Sequence, residues 1–141
     1  MLALITSLIV TLSTSCGGDV VISPSQLPAP AIEFITTYFP EDSILSAKKD
    51  REGFSIEYEV CLSTGTEITF DKHGNWTKVD CERRNLPVAI IPAAILDYIR
   101  SNFPNNPATE ISKEYRGYEV GLWGDIDLVF DTKGNFLRFD D

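Results

Sequence analysis

In 141 residues the sequence has one histidine, three cysteines and one methionine, and no lysine or arginine precedes Lys48. The single histidine, His73, lies between Asp71-Lys72 and Gly74-Asn75, where it reads as a solvated turn residue. A Ser-His-Asp or Cys-His mechanism needs a base held in a fixed, partly buried place. One histidine and two widely spaced cysteines beyond residue 16 cannot assemble a zinc finger or a catalytic zinc triplet. There is no glycine-rich phosphate loop, Gly-x-Ser-x-Gly elbow or His-Glu-x-x-His helix. Asp71-Lys72-His73-Gly74-Asn75 and Asp131-Thr132-Lys133-Gly134-Asn135 look like half a calcium loop. That loop needs an oxygen donor at its third position, and His73 and Lys133 stand there. A type I turn opened by Asp and closed by a left-handed Gly accounts for both stretches. No catalytic, cofactor-binding or metal-ligating residue is therefore expected, and the chain reads as something other than an enzyme.

Cations are also scarce. Twelve Lys and Arg against 21 Asp and Glu leave a formal charge of −9. A field of that sign repels phosphate backbones and anionic headgroups, so nucleic acid is not an expected partner. The only long apolar run, Leu2 to Leu12, is far shorter than the roughly 20 residues that a membrane-spanning helix needs.

What that run does fit is the apolar region of a signal peptide at residues 1–15, followed by small residues at a cleavage site. Leu12-Ser13-Thr14-Ser15-Cys16 resembles a bacterial lipobox, which implies lipidation of Cys16. Ser13 replaces the usual Leu, and no basic residue precedes the run. Residues 16–26, polar and broken by Gly, Ser and Pro24, read as a tether to a folded part. The expected location is the cell envelope, as a periplasmic or outer-membrane lipoprotein that touches the membrane through its anchor only.

The folded part aligns with itself. Leu27-Pro28 through Phe39-Pro40 lies over Ile91-Pro92 through Phe103-Pro104. Tyr58-Glu59-Val60 lies over Tyr118-Glu119-Val120, and Phe70-Asp71 with Gly74-Asn75 over Phe130-Asp131 with Gly134-Asn135. Two repeats, 27–83 and 84–141, form one compact domain. Each opens with a helix that has proline in its first turn and ends before Phe-Pro. Phe54, Ile56, Tyr58, Val60 and Leu62 then alternate with polar residues, as in a half-buried strand. Thr66–Phe70 and Trp76–Cys81 follow as strands, and shorter ones at Ile44–Lys49 and Glu110–Tyr115 precede the main strand of each copy. The fold class is α+β: two α-β-β-β-β units forming an antiparallel sheet of about eight strands, both helices on one face. Phe54, Tyr58, Val60, Ile68, Phe70, Tyr118, Val120, Leu128 and Phe130 are the expected core.

The Pro-opened, Phe-Pro-closed helices together with Gly-Tyr-Glu-Val and Phe-Asp-x-x-Gly-Asn-Phe-Leu resemble the PepSY-like family of exported Bacteroidetes proteins, over Leu27 to Asp141. The resemblance implies a tandem fold similar to that of a secreted β-lactamase inhibitor protein, with a sheet face open to a protein. Inhibitory activity does not follow from a shared fold.

In an oxidising compartment Cys61 and Cys81 would be candidates for pairing. On strands two and four of one meander, however, their Cα atoms stand about 9.6 Å apart, beyond the roughly 7 Å limit of a disulfide. The pairing is doubtful.

Two functional readings follow. The first is a non-catalytic module binding an envelope protein or extended peptide, in one form as an inhibitor, on the helix-free sheet face. Strand alternation turns Trp76, Phe136 and Trp123 outward there, with Lys78 and Arg138 at the edge. The turn chemistry opposes this: an Asp-x-x-Gly turn with a bulge puts Trp76 on the side of Phe70. Outward placement is the expectation taken. The second reading is an envelope small-ligand carrier or enzyme with a pocket between helices and sheet, which needs convergent polar groups there.

Overall fold

The computed structural model describes residues 19–140. Residues 1–15, Cys16 and the first part of the tether lie outside them. Among the described residues nine strands form one antiparallel sheet in simple sequence order: β1 (Val20–Ile22), β2 (Ile44–Glu52), β3 (Ser55–Leu62), β4 (Glu67–Asp71), β5 (Trp76–Asp80), β6 (Ala108–Glu114), β7 (Gly117–Leu122), β8 (Ile126–Asp131) and β9 (Phe136–Phe139). Helix α1 (Ala29–Tyr38) joins β1 to β2 and α2 (Ala93–Asn102) joins β5 to β6. No helix among the described residues is long and apolar enough to cross a membrane.

The extra strand, β1, comes from the stretch read as a tether. Val20, Val21 and Ile22 pair with Lys49, Lys48 and Ala47. Two β-branched valines followed by isoleucine suit a pleated edge, but three residues are too few for periodicity to reveal.

Each helix begins immediately after a proline, Pro28 or Pro92. Gly74 and Gly134 let the helix starts close on the β4–β5 and β8–β9 turns. A Cβ on Gly74 would stand 2.9 Å from the Pro28 Cβ, and one on Gly134 2.8 Å from the Ala94 Cβ. Both glycines have positive φ, 86° and 83°, so neither position suits another residue.

The helices lie over one face. Beneath them Val60, Leu62, Ile68, Phe70, Val79, Ile111, Val120, Leu128 and Phe130 are buried, with Ala31, Ile35, Ile95 and Ile99 contributed from above. Phe34 meets Phe70 edge-on at 5.7 Å, and Tyr98 meets Phe130 edge-on at 5.5 Å. Of the expected core, Tyr118 is only half-buried and Phe54 lies wholly outside it. Phe54 and Gly53 form the β2–β3 turn, with Gly53 at φ 60°; the pleat, and with it the burial, starts at Ser55.

Candidate functional site

The sequence candidates divide between the two faces and one end of the sheet. Trp76 pairs with Phe70 and lies 6.3 Å from Phe34 of α1. Phe136 pairs with Phe130 and stacks on Tyr98 of α2 at 4.8 Å and 12°. Both rings therefore sit on the helix-covered face, which corrects the expectation that they face outward. The reason is a register shift in each hairpin, between Thr69 and Phe70 and between Val129 and Phe130. An added residue, Thr77 or Leu137, reverses the parity of everything before it. Lys78 pairs with Thr69 and Arg138 with Val129, so these two do occupy the open face. Trp123 is 60% exposed in the β7–β8 turn at the far end of the sheet, its backbone N–H donating to the Pro107 carbonyl.

The two described cysteines are free. Cys61 shares the open face with its partner Glu67, whereas Cys81 is buried in the core. Opposite sheet faces separate them, a stronger obstacle to pairing than strand spacing alone. Burial pushes the Cys81 thiol up, so it is not a reactive thiolate.

Traced through the pairings, the open face is a pattern of charge. A central row crosses the whole sheet: Val21, Lys48, Glu59, Thr69, Lys78, Ser112, Glu119, Val129 and Arg138. On one side run Asp50, Glu57 and Asp71, and, in the second half, Glu114 and Asp131 flanking Gly117. On the other run Ser46, Cys61, Glu67, Asp80, Glu110, Gly121 and Asp127. With Glu52 at the end of β2, Asp19 beside Asp50 and Asp140 beside Glu119, the face carries fourteen carboxylates and three cations, all three in the central row. Since the chain has 21 acids and 12 bases, the remainder is seven acids and nine bases. The chain's excess of acid thus resides on one sheet face, and the remainder carries no net negative charge.

This face is not arranged for its own stability. Asp50 opposes Glu57, Glu57 opposes Asp71, Glu67 opposes Asp80 and Asp80 opposes Glu110, although like charges across strands destabilise a sheet. The one ion pair among the described residues is Lys78 to Glu110, at 3.0 Å, and the hydrogen bond to Glu110 holds the Lys78 ammonium above its usual range. Partial desolvation and then the hydrogen bond and charge of Asp140, with Glu114 and Asp127 beyond, push Glu119 up. Partial desolvation and Asp19 do the same to Asp50. Lys48, Glu59, Cys61, Glu67 and Thr69 line a depression of about 320 Å³ on this face.

Carboxylates of Glu67, Asp80 and Glu82 converge at one end of the face, with ligand oxygens within 4.8 Å of one another. The backbone N–H of Glu82, a residue at φ 58°, donates to Asp80 Oδ1 at 2.8 Å. The calcium-like stretches are different. Asp71 Oδ1 accepts the N–H groups of His73 and Asn75, and Asp131 Oδ1 those of Lys133 and Asn135. Each carboxylate is thus engaged by its own turn, and those bonds outweigh slight desolvation to hold Asp71 below its ordinary range.

On the helix side, a groove of about 290 Å³ lies beside α2, lined mainly by Leu86, Val88, Ile91, Leu96, Ile99 and Phe103. Arg100 and Asn85 are its polar side chains and no carboxylate lines it. The convergent polar groups that the carrier or enzyme reading needs are not found in it.

Comparison with known proteins places this geometry. A family model described as "Putative beta-lactamase-inhibitor-like, PepSY-like" matches residues 56–138, more than half of the chain. A "putative calcium-regulated periplasmic protein" from Bacteroides thetaiotaomicron is similar at 37% identity and a TM-score of 0.84, over 87% of this chain and 97% of that one. Two structures from Bacteroides vulgatus, each described as a "putative periplasmic protein", share 32% and 34% identity, both with a TM-score of 0.85. They cover 88% and 90% of this chain and all of their own. Among curated proteins none matches.

Proposed function

The chain belongs to the PepSY-like family, and on that footing we propose that it is an exported, lipid-anchored, non-catalytic module whose helix-free sheet face binds a positively charged envelope protein or extended peptide. The observation that carries the reading is the charge partition: fourteen carboxylates and three cations on one uncovered face, with no net negative charge on the rest of the chain. A cationic partner would supply the counter-charge that the face lacks, and complementary potential both steers encounter and rejects acidic competitors. Lys78 and Arg138, in the central row, set the register by meeting the partner's few acidic groups. Trp76 and Phe136 serve the core beneath. The periplasmic description of the relatives supports an envelope location, and Cys16 is the proposed point of acylation. Fatty-acid labelling of the wild type, absent from Cys16→Ala, tests the anchor. Capture from envelope extract by the full chain, compared with Glu57→Lys/Glu110→Lys, tests the face. Capture by the wild type that the charge reversal abolishes supports the reading, and equal capture by both refutes it.

A second reading rests on the Glu67, Asp80 and Glu82 cluster and on the description of one relative as calcium-regulated. Three hard oxygen donors form part of a calcium shell of six to eight. In this reading the ion neutralises one end of the acidic face. Calorimetric titration of the full chain with calcium, repeated on Glu67→Gln/Asp80→Asn, decides it: heat of binding lost in the variant supports it, and no heat in the wild type removes it.

A further inference from the structure

One end of the sheet carries features that the charged face does not explain. In a meander, alternate turns lie at the same end, which groups the β2–β3, β4–β5, β6–β7 and β8–β9 turns. Phe54 tops the first at 106% exposure and Tyr115 the third at 94%. The turn residues themselves (53–54, 72–75, 115–116 and 132–135) include Lys72, His73, Arg116 and Lys133, and Glu52, Asp71, Glu114 and Asp131 close the strands that lead into them. Wholly exposed aromatic rings are costly to hydrate, and the two hairpins stand four strands apart, about 19 Å at the usual spacing. Rings so separated cannot share a pocket. They suit a broad, flat apolar surface.

The start of the described chain lies at that same end. Val20 pairs with Lys49 and Ile22 with Ala47, so β1 enters from the side of the Gly53–Phe54 turn, with Asp19 beside Asp50. Cys16 stands four residues before Val20, and four extended residues span at most roughly 14 Å. An acyl group on Cys16 would hold this end, and no other, against a bilayer. The opposite end also exposes Leu45 and Trp123 (66% and 60%), but the described chain does not start there.

We propose that the Phe54 and Tyr115 hairpin tips rest in the headgroup region of the membrane, with Lys72, Arg116 and Lys133 against lipid phosphates, so that the protein stands on end and presents its acidic face sideways. Aromatic rings at the water–lipid boundary and cations beside phosphate are the chemistry this placement uses. The contact extends the proposed anchor at Cys16, since the tips then add a direct hold of their own.

The test uses the full chain from a lipoprotein-processing host, added to vesicles of phosphatidylethanolamine and phosphatidylglycerol with brominated acyl chains. Phe54→Trp, Tyr115→Trp and Leu45→Trp variants are compared with the wild type. The expected result is loss of emission from the tryptophans at 54 and 115 and none from that at 45. Acylation of Cys16 is scored separately by mass, so failure of the anchor and failure of the tips are distinguishable. An unacylated chain that still binds with both tips quenched retains the proposal. Absence of quenching at 54 and 115, equal quenching at all three positions, or no association with vesicles overturns it.

Discussion

The ammonium of Lys113 stands 4.0 Å from the centre of the Trp76 ring, on the face of the sheet that the helices cover. Burial lowers the Lys113 pKa, and the ring supplies part of the lost solvation. Trp76 is therefore a packing residue between α1, Phe70 and a lysine stem. Trp76→Ala should destabilise the fold by about 3 kcal/mol, the usual cost of emptying such a site. Lys113→Met should cost less than that. Urea denaturation of the full chain measures both.

Phe54 behaves in the opposite way. With its ring wholly in water, Phe54→Ser should change stability by no more than about 0.5 kcal/mol, as surface substitutions do. A denaturation midpoint shifted as far as that of Trp76→Ala would show that the ring packs against something.

The crowded carboxylates make a pH prediction whose sign is definite. Glu119 is pushed above its ordinary 4.5 in the folded protein, so the folded state holds that proton more firmly than the unfolded chain. Its contribution therefore favours folding at low pH and is lost as pH rises through the raised value. Glu119→Gln should be more stable than the wild type at pH 7. The gap should close as pH falls below 4.5, where the group is protonated in both states. Thermal unfolding across pH 4 to 7 reads this directly, and a gap that widens on acidification would contradict the raised value that desolvation and the neighbouring Asp140 impose.

The helices and eight of the strands were legible because their signals are long: proline punctuation at Pro28, Pro40, Pro92 and Pro104, and four alternating apolar residues in β3. The three-residue β1 had no such length. The faces of Trp76 and Phe136 were misread because one bulge residue, Thr77 or Leu137, inverts the parity of its strand. The Asp-x-x-Gly turns already carried the contrary signal. The acidic face was half visible in Glu57 and Glu59, which alternate with Tyr58 and Val60. Its extent depends on cross-strand neighbours such as Asp80 and Glu110, 30 residues apart in sequence, and the net charge alone does not show that it gathers on one side.

The central claim, that the open face meets a cationic partner, is tested most directly by amide chemical shifts of the labelled full chain titrated with a lysine- and arginine-rich extended peptide. Thr69, Lys78, Ser112 and Glu119, neighbours in the central row, should shift together while the amides of α1 and α2 stay fixed. The shifts should vanish near 1 M salt, where the screening length falls to about 3 Å. Shifts confined to the groove beside α2, or shifts on the open face that persist undiminished in that salt, would contradict it.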